Sequence, residues 1–301
     1  MSSPLPPSLF PAPPRPVFPA GQSSTAEVLL RYEDIAQDGR LIPVALPTAM
    51  SALWQNVLRS HPGQRAAIAS GVLPILTRLT LTSLEAPIRV DVPVETRAGF
   101  LLTHDRDPDG EARIFMNVWA ELHGAAGRIG TRPPGPPVLA GHLFAEHTFT
   151  RLFAPPGRRR VSRLEAEGYP AIPEARYEAP VPTSAGEPPA GASWLDALAP
   201  DPAEVAFTLD QTDSNQHVNS LVYIRIFLDA VQRRLAAGAR PLAVLSRAVD
   251  IAYRKPCFAG DRVRAHVRLF EADGALGAAG VIAGPGEEER PRCYIRVLLG
   301  A

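Results

Sequence analysis

DQTDSNQHVNSLVYIRIFLDA, residues 210–230, decides how this chain is read. Its first part is polar; from Leu221 onward apolar residues fall at 221, 224, 227, 228 and 231, the spacing of one helical face. Just before that helix stand a carboxylate, Asp213, a carboxamide, Asn215, and an imidazole, His217. A carboxylate can act as base or nucleophile, an imidazole titrates near neutral pH, and an amide hydrogen-bonds without changing charge. The helix start adds unpaired N–H groups and the positive end of a dipole, which suit a developing oxyanion. Asp and Asn before a helix are also ordinary capping residues, so the triplet gains meaning only from its surroundings.

Working outward, EVAFTL at 204–209 alternates like a strand and precedes the polar turn. After the helix come PLAVLSRAVDIAYR, DRVRAHVRLFEA, ALGAAGVIA and PRCYIRVLL, four β-prone runs separated by turn residues, with AGPGEEER (283–290) as a surface hairpin loop. Strand, helix, then a run of antiparallel strands wrapping the helix is the order this predicts. The first half repeats it weakly. TAEVLLRYEDIAQDGRL (25–41) parallels PAEVAFTLDQTDSNQHV; TAMSALWQNVLRS supplies a helix, and VLPILTRLTLTSLEAP, PVETRAGFLLT, ARIFMNVWAEL and HLFAEHTFTRLF supply strands. Such a repeat implies two similar units packed side by side. Matching the turns on their first aspartates sets Asp34 against Asp213, Ala36 against Asn215 and Asp38 against His217, which leaves the first copy without the chemistry. Asp34 then reads as a turn or cap residue.

The expected organisation is a proline-rich, poorly ordered tail at 1–23, a degenerate first repeat at 24–155, a linker at 156–203 rich in proline, glycine and arginine, and a second, active repeat at 204–301. GAAGRIGTRPPGPP (124–137) reads as a loop between neighbouring strands. Lys plus Arg and Asp plus Glu both total 31, so no bulk field gathers nucleic acid or an anionic membrane. The tail lacks the pattern of a secretory signal, and no apolar run is long enough to span a bilayer. Cys257 and Cys293 are too few for a disulfide framework and not spaced for a metal, which points to free thiols and a cytoplasmic protein.

DSNQHVNSLVYI resembles the D-x-N-x-H-V-N-N-x-x-Y signature of the hot-dog acyl-ACP thioesterases, strongly over 205–262 and faintly in the first half. The resemblance implies an α+β, tandem hot-dog protein, each repeat an antiparallel sheet wrapped around a long helix, with the active site in the C-terminal repeat. It implies hydrolysis of acyl thioesters on acyl carrier protein or coenzyme A, with Asp213, Asn215 and His217 catalytic. Asn219, Tyr223, Asp229, Tyr253 and Arg254 match positions around that site, and Ser220 stands where the signature has its second Asn. IAYRKPCFAGDRV resembles the family's Y-R-R-E-C segment with Tyr253, Arg254 and Cys257 in register, but Pro256 replaces its glutamate. Proline accepts no proton, so Asp213 must act as base for water or as direct nucleophile, and the sequence leaves both open.

Trp54, with Met50, Leu53 and Val57, is expected to bound the acyl pocket from the first repeat. Cys257 reads as a buried inert thiol. His142 and His147, five apart in a strand, face opposite ways, so no metal and no other cofactor is expected. No G-x-S-x-G elbow or GK[ST] loop occurs. Arg158, Arg159 and Arg160 form a basic cluster that reads as a solvated linker face or as a contact for an acidic carrier protein. The rival readings are a non-hydrolytic acyl-binding scaffold and a hot-dog hydratase or dehydratase, the latter without its H-x-x-x-G-x-x-x-x-P pattern. With two repeats per chain, a monomer or a homodimer satisfies the pairing.

Overall fold

In the computed structural model, which describes residues 10–106, 110–130 and 133–300, eleven strands form one sheet. They are β1 (Ser23–Val28), β2 (Val72–Ser83), β3 (Val94–Arg106), β4 (Ala112–Ala125), β5 (Pro137–Arg151), β6 (Ser193–Trp194), β7 (Ala199–Ala206), β8 (Leu245–Tyr253), β9 (Arg262–Ala272), β10 (Ala275–Ala283) and β11 (Cys293–Gly300). The order is β1-β3-β4-β5-β2-β8-β11-β10-β9-β6, with β7 also paired to β9. All these pairings are antiparallel. Read outward from the middle, β2-β5-β4-β3-β1 and β8-β11-β10-β9-β7 are the same path walked twice. The halves meet where β2 pairs β8, from Arg78 opposite Ala252 to Thr82 opposite Ala248, with Thr80 and Asp250 at the centre.

Alternation along the strands gives each face its own character. One face carries Leu79, Leu81, Val118, Val249, Ile251 and Val267 into a single core that runs through both halves. The helices lie on it. α3 (Ser220–Ala237) buries Tyr223, Ile224, Phe227, Ala230, Val231 and Leu235 there, and stops at Gly238. Each large apolar side chain so buried contributes about 1.5–3 kcal/mol.

The helix expected in the first half is present but broken. A 3-10 turn at Pro43–Ala45 leads into α1 (Thr48–Leu53), a π-helical turn at Trp54–Leu58, and then α2 (Pro62–Ala69). Pro43, Pro47 and Pro62 stand at the starts of these pieces, where a helix needs no N–H; Ala49 N–H bonds Leu46 O, and Arg59 N–H closes the π turn on Trp54 O.

The opposite face is polar at its centre and covered by the segments expected to be loose. Asp250, fully buried, accepts from Arg78 (2.8 and 2.6 Å) and from Arg296 (3.0 and 2.8 Å), across the seam and beside it. The tail is ordered over its described part. Phe10 is fully buried against Ala248, Phe270, Ala279 and Leu298, Arg296 lies over its ring, and Trp119 Nε1 donates to Pro13 O at 3.0 Å. Residues 1–9 lie outside the described part. The connector is also packed: Tyr177 joins Phe115, Trp119 and Phe144, and the 3-10 turn Pro182–Gly186 bridges to Arg78 through Ser184 Oγ. Its last residues already belong to β7.

Candidate active site

Residues 212–218 form a closed turn ahead of α3. Thr212 and Val218 form a β-bridge, Asp213 N–H donates to His217 O (2.9 Å), and Gln216 N–H donates to Asp213 O (2.9 Å). Gln216 has φ +64°, a left-handed conformation rare outside glycine. Asp213 Oδ1 accepts Asn215 N–H at 2.8 Å, the short-range bond that makes Asp a turn former.

Three expected site residues hold this turn in place through polar atoms that are already engaged. Asn219 caps α3, its Oδ1 accepting Leu221 N–H at 2.9 Å, while its carbonyl takes Val222 N–H. Tyr223, only 2% exposed, accepts Cys257 N–H at 2.8 Å, and Val218 N–H donates to Cys257 O. Tyr253 donates to Ser220 O at 3.0 Å. Burial raises both phenols above their ordinary pKa, so they remain neutral donors and acceptors. Burial likewise pushes up the Cys257 thiol, leaving it a poor nucleophile, and both cysteines are free.

Asp213, Asn215 and His217 are different. All three reach solvent, no hydrogen bond joins their side chains, and among the described residues no partner engages Asp213 Oδ2, the Asn215 amide or the His217 ring nitrogens. The His217 ring is held edge-on to Phe258, centroids 5.3 Å apart. With Leu221 and Val222 amides taken by Asn219, the helix start offers less to an oxyanion than its sequence suggests. Among the described residues no backbone acceptor engages the Ser214 and His217 amides.

The structure does not bring Asp229 or Trp54 to this place. Asp229 is exposed, nine residues and thus about 14 Å along α3 from Ser220. Trp54 is 46% exposed in a turn that packs on edge strand β1, where Asn56 bonds Ser24. Arg254 is exposed just beyond β8. His142 and His147 lie apart, His147 Nδ1 3.3 Å from Met116 O.

The repeated topology corrects the alignment of the two turns. Ile35 bridges Leu41 as Thr212 bridges Val218; Ala36 N–H bonds Arg40 O as Asp213 N–H bonds His217 O; and Gly39, with φ +89°, stands where Gln216 does. Ala36, Asp38 and Arg40 therefore correspond to Asp213, Asn215 and His217. Asp34 corresponds to Gln211 and accepts Arg31 N–H at 2.8 Å as a cap. The offset that aligns AEV in the two halves gives this register without a gap.

A small cavity is lined by Ala36, Arg40, Leu41 and Ile42 from the first turn, Ser83 and Leu84 from β2's end, and Leu245, Ser246 and Arg247 from β8's start. By the repeat of the strand path about the Thr80–Asp250 pair, the corresponding positions in the second half are Asp213, His217, Val218 and Asn219, then Tyr253 and Arg254, then Ile75, Leu76 and Thr77. The start of β2 is therefore the candidate wall for the Asp213 turn, and the sequence pattern carries no signal for it. Its residues 73–77 are only partly buried, unlike 78–83. Beside the first turn the cavity's two arginines are ion-paired, Arg40 with Asp38 and Arg247 with the exposed Glu85.

No protein-family model matches the chain, and no curated protein matches it in sequence. Solved structures do match in fold. A protein assigned as an oleoyl thioesterase from Lactobacillus plantarum aligns with TM-score 0.60 at 16% identity over 92% of this chain and 94% of that one. An acyl-ACP thioesterase from Bacteroides thetaiotaomicron aligns with TM-score 0.60 at 14% identity over 92% and 98%. The 12:0-ACP thioesterase from Umbellularia californica aligns with TM-score 0.58 at 10% identity over 92% and 94%. The chain has the hot-dog fold of these thioesterases along nearly its whole length.

Proposed function

We propose that this chain hydrolyses acyl thioesters, with Asp213, Asn215 and His217 as the reacting group and its orienting partners. One observation carries the reading: around the start of α3 the framework side chains are hydrogen-bonded, while these three present unengaged polar atoms at the seam between the halves. Asp213 Oδ2 either takes a proton from water as water adds to the thioester carbon, or attacks that carbon itself. In the second route the thiolate leaves, an acyl anhydride forms on Asp213, and water cleaves it to acid and carboxylate. His217 can protonate the departing sulfur, and Asn215 can hold the water or carbonyl.

On this reading each half is one hot-dog unit, the second wrapped around α3 and the first around its broken counterpart. The units divide as 24–155 and 204–301, with 156–203 as connector. The β2–β8 pairing completes the double unit within one chain, which supports a monomer. The substrate is an acyl group on a carrier protein or coenzyme A, and two free cysteines support a cytoplasmic setting.

Purified protein with a panel of acyl and 3-hydroxyacyl thioesters tests this, with free thiol and enoyl product both monitored. Thiol release that Asp213→Asn removes supports hydrolysis. Enoyl product without thiol, or no turnover on any thioester, overturns it. A single turnover quenched with hydroxylamine separates the routes, since an Asp213 anhydride is trapped as an aspartyl or acyl hydroxamate, while label from H2 18-O enters Asp213 when water cleaves that anhydride at the aspartyl carbon.

A further inference from the structure

We infer that the small cavity beside the first turn binds a monatomic anion, a halide such as chloride, which fastens the two halves together at the opposite end of the β2–β8 pair from the Asp213 turn. The inference is independent of the thioesterase reading.

The strands prepare the site by a shift of register. Ser246 of β8 faces Leu299 and Ala248 faces Leu298, so Arg247 is an extra residue, a bulge. β2 carries the same bulge at Thr77, where Leu76 faces His147 and Arg78 faces Glu146. A bulge re-aims the side chain it carries. At Thr77 that side chain is a hydroxyl already bonded to Glu146 Oε1; at Arg247 it is a guanidinium that lines the cavity. The lining also holds Ser83, the last residue of β2, and Arg40 of the first turn. Ser83 is 2% exposed, and among the described residues neither its Oγ nor Arg247 Nε has a hydrogen-bond partner. A guanidinium N–H only donates, so the group that completes it is an acceptor.

Size and charge choose that acceptor. The cavity measures about 10 Å3, room for one water-sized body, which excludes sulfate, phosphate and whole carboxylates. Water and a halide ion remain. The Arg40 and Arg247 side chains are each 14% exposed, whereas their carboxylate partners lie further out, Asp38 at 25% and Glu85 at 84%. Solvent screens an exposed charge more than a buried one, so the guanidiniums dominate the potential inside the cavity. Arg247 first, and Arg40 to a lesser degree, hold the Glu85 carboxyl below its ordinary range, which brings both guanidiniums within reach of one negative charge. A halide accepts from Ser83 Oγ–H and Arg247 Nε–H together and answers that charge; water does only the first. Chloride is slightly wider than water, a difference that rotatable arginine stems absorb. Because the lining draws on the first turn, β2 and the start of β8, an anion held there links folding of both halves to halide concentration.

The test is thermal unfolding of the full chain at fixed ionic strength as sodium gluconate, too large for the cavity, is replaced by sodium chloride. Tm should rise by at least about 2 °C along a saturating curve, and sodium bromide should act alike. In Ser83→Ala/Arg247→Gln the rise should be lost. Equal Tm in gluconate and chloride overturns the site, as does a rise in the double variant as large as in wild type. If the double variant does not fold, wild-type crystals grown in sodium bromide and measured at the bromine edge decide. Anomalous density within hydrogen-bonding distance of Ser83 Oγ and Arg247 Nε upholds the site; density there without anomalous signal, a bound water only, or no density at all overturns it.

Discussion

The turn at 36–40 and the turn at 213–217 share a backbone and differ in what that backbone displays. Both close through the same bridge, the same two amide bonds and a left-handed fourth residue. In the first, Arg40 pairs with Asp38, and Arg247, which lines the neighbouring cavity, pairs with Glu85. In the second, Asp213, Asn215 and His217 keep polar atoms without partners. Fold symmetry therefore builds the same turn twice, and side-chain pairing leaves the second turn's polar atoms open where the first turn's are engaged.

The seam that holds the turns in register is where the largest effect is expected. Among the described residues Asp250 is the only carboxylate bonded to both Arg78 and Arg296, and its loss leaves two buried guanidiniums with neutral partners alone, Ser184 Oγ and Glu187 O. Asp250→Asn should cost about 3–5 kcal/mol in urea-induced unfolding. A loss below about 1 kcal/mol would show that the strands, not the ion cluster, set the relation of the halves.

Next comes the direct contrast between the turns. Asp213→Asn keeps shape and removes charge, so kcat should fall at least about a hundredfold, roughly 2.7 kcal/mol of barrier. Asp38→Asn, at the Asn215 position of the first turn, should leave kcat within twofold. Equal losses in both variants would mean that the two turns contribute alike.

Much of this contrast was legible in the sequence, and the failures have physical reasons. In the second half, period-2 runs became β8 to β11, and the face at 224, 227 and 231 became the buried side of α3. The first half misled twice. The apolar spacing of TAMSALWQNVLRS does not show that its helix turns π-helical at Trp54–Leu58 and restarts at Pro62. Its turn was aligned aspartate to aspartate, two residues out, when the AEV register pointed to Ala36, Asp38 and Arg40. The tail was read as loose because its composition carries no periodicity; Phe10 and Trp119's bond to Pro13 depend on surfaces built by strands far along the chain. Asn219, Tyr223 and Tyr253 were grouped with the substrate because motif spacing cannot tell a framework hydrogen bond from a free one.

A smaller effect separates chemistry from stability in acid. Burial lowers His147 to about 4, against about 6.5 in an unfolded chain, and Leu76 on the β2 wall lies opposite it. The folded state disfavours the protonated ring, so this contribution is complete above pH 6.5 and is lost as pH falls toward 4. His147→Phe should flatten that part of the stability-versus-pH curve measured by denaturant titration. A stability curve as steep as wild type between pH 6.5 and 4 would rule His147 out as its source.

The smallest effect concerns the fourth residue of each turn. At Gly39 an added Cβ would lie 2.9 Å from Pro87 Cβ and 3.0 Å from Arg128 Cγ, so both torsion and contact demand glycine. Gln216 adopts the same left-handed region with a side chain, at a cost of about 1–2 kcal/mol. Gln216→Gly relieves that strain but frees the unfolded backbone by about 0.4–1 kcal/mol, so the net gain should lie between about 0 and 1.6 kcal/mol. Gly39→Ala should move stability the other way and further. If the strained residue pins Asp213 against His217, the Gln216→Gly protein will unfold later and yet turn over severalfold more slowly, because the bonds that close the turn survive while its geometry loosens. A variant that is both less stable and fully active would show that Gln216 stores no strain and that its counterpart's glycine reflects contact alone.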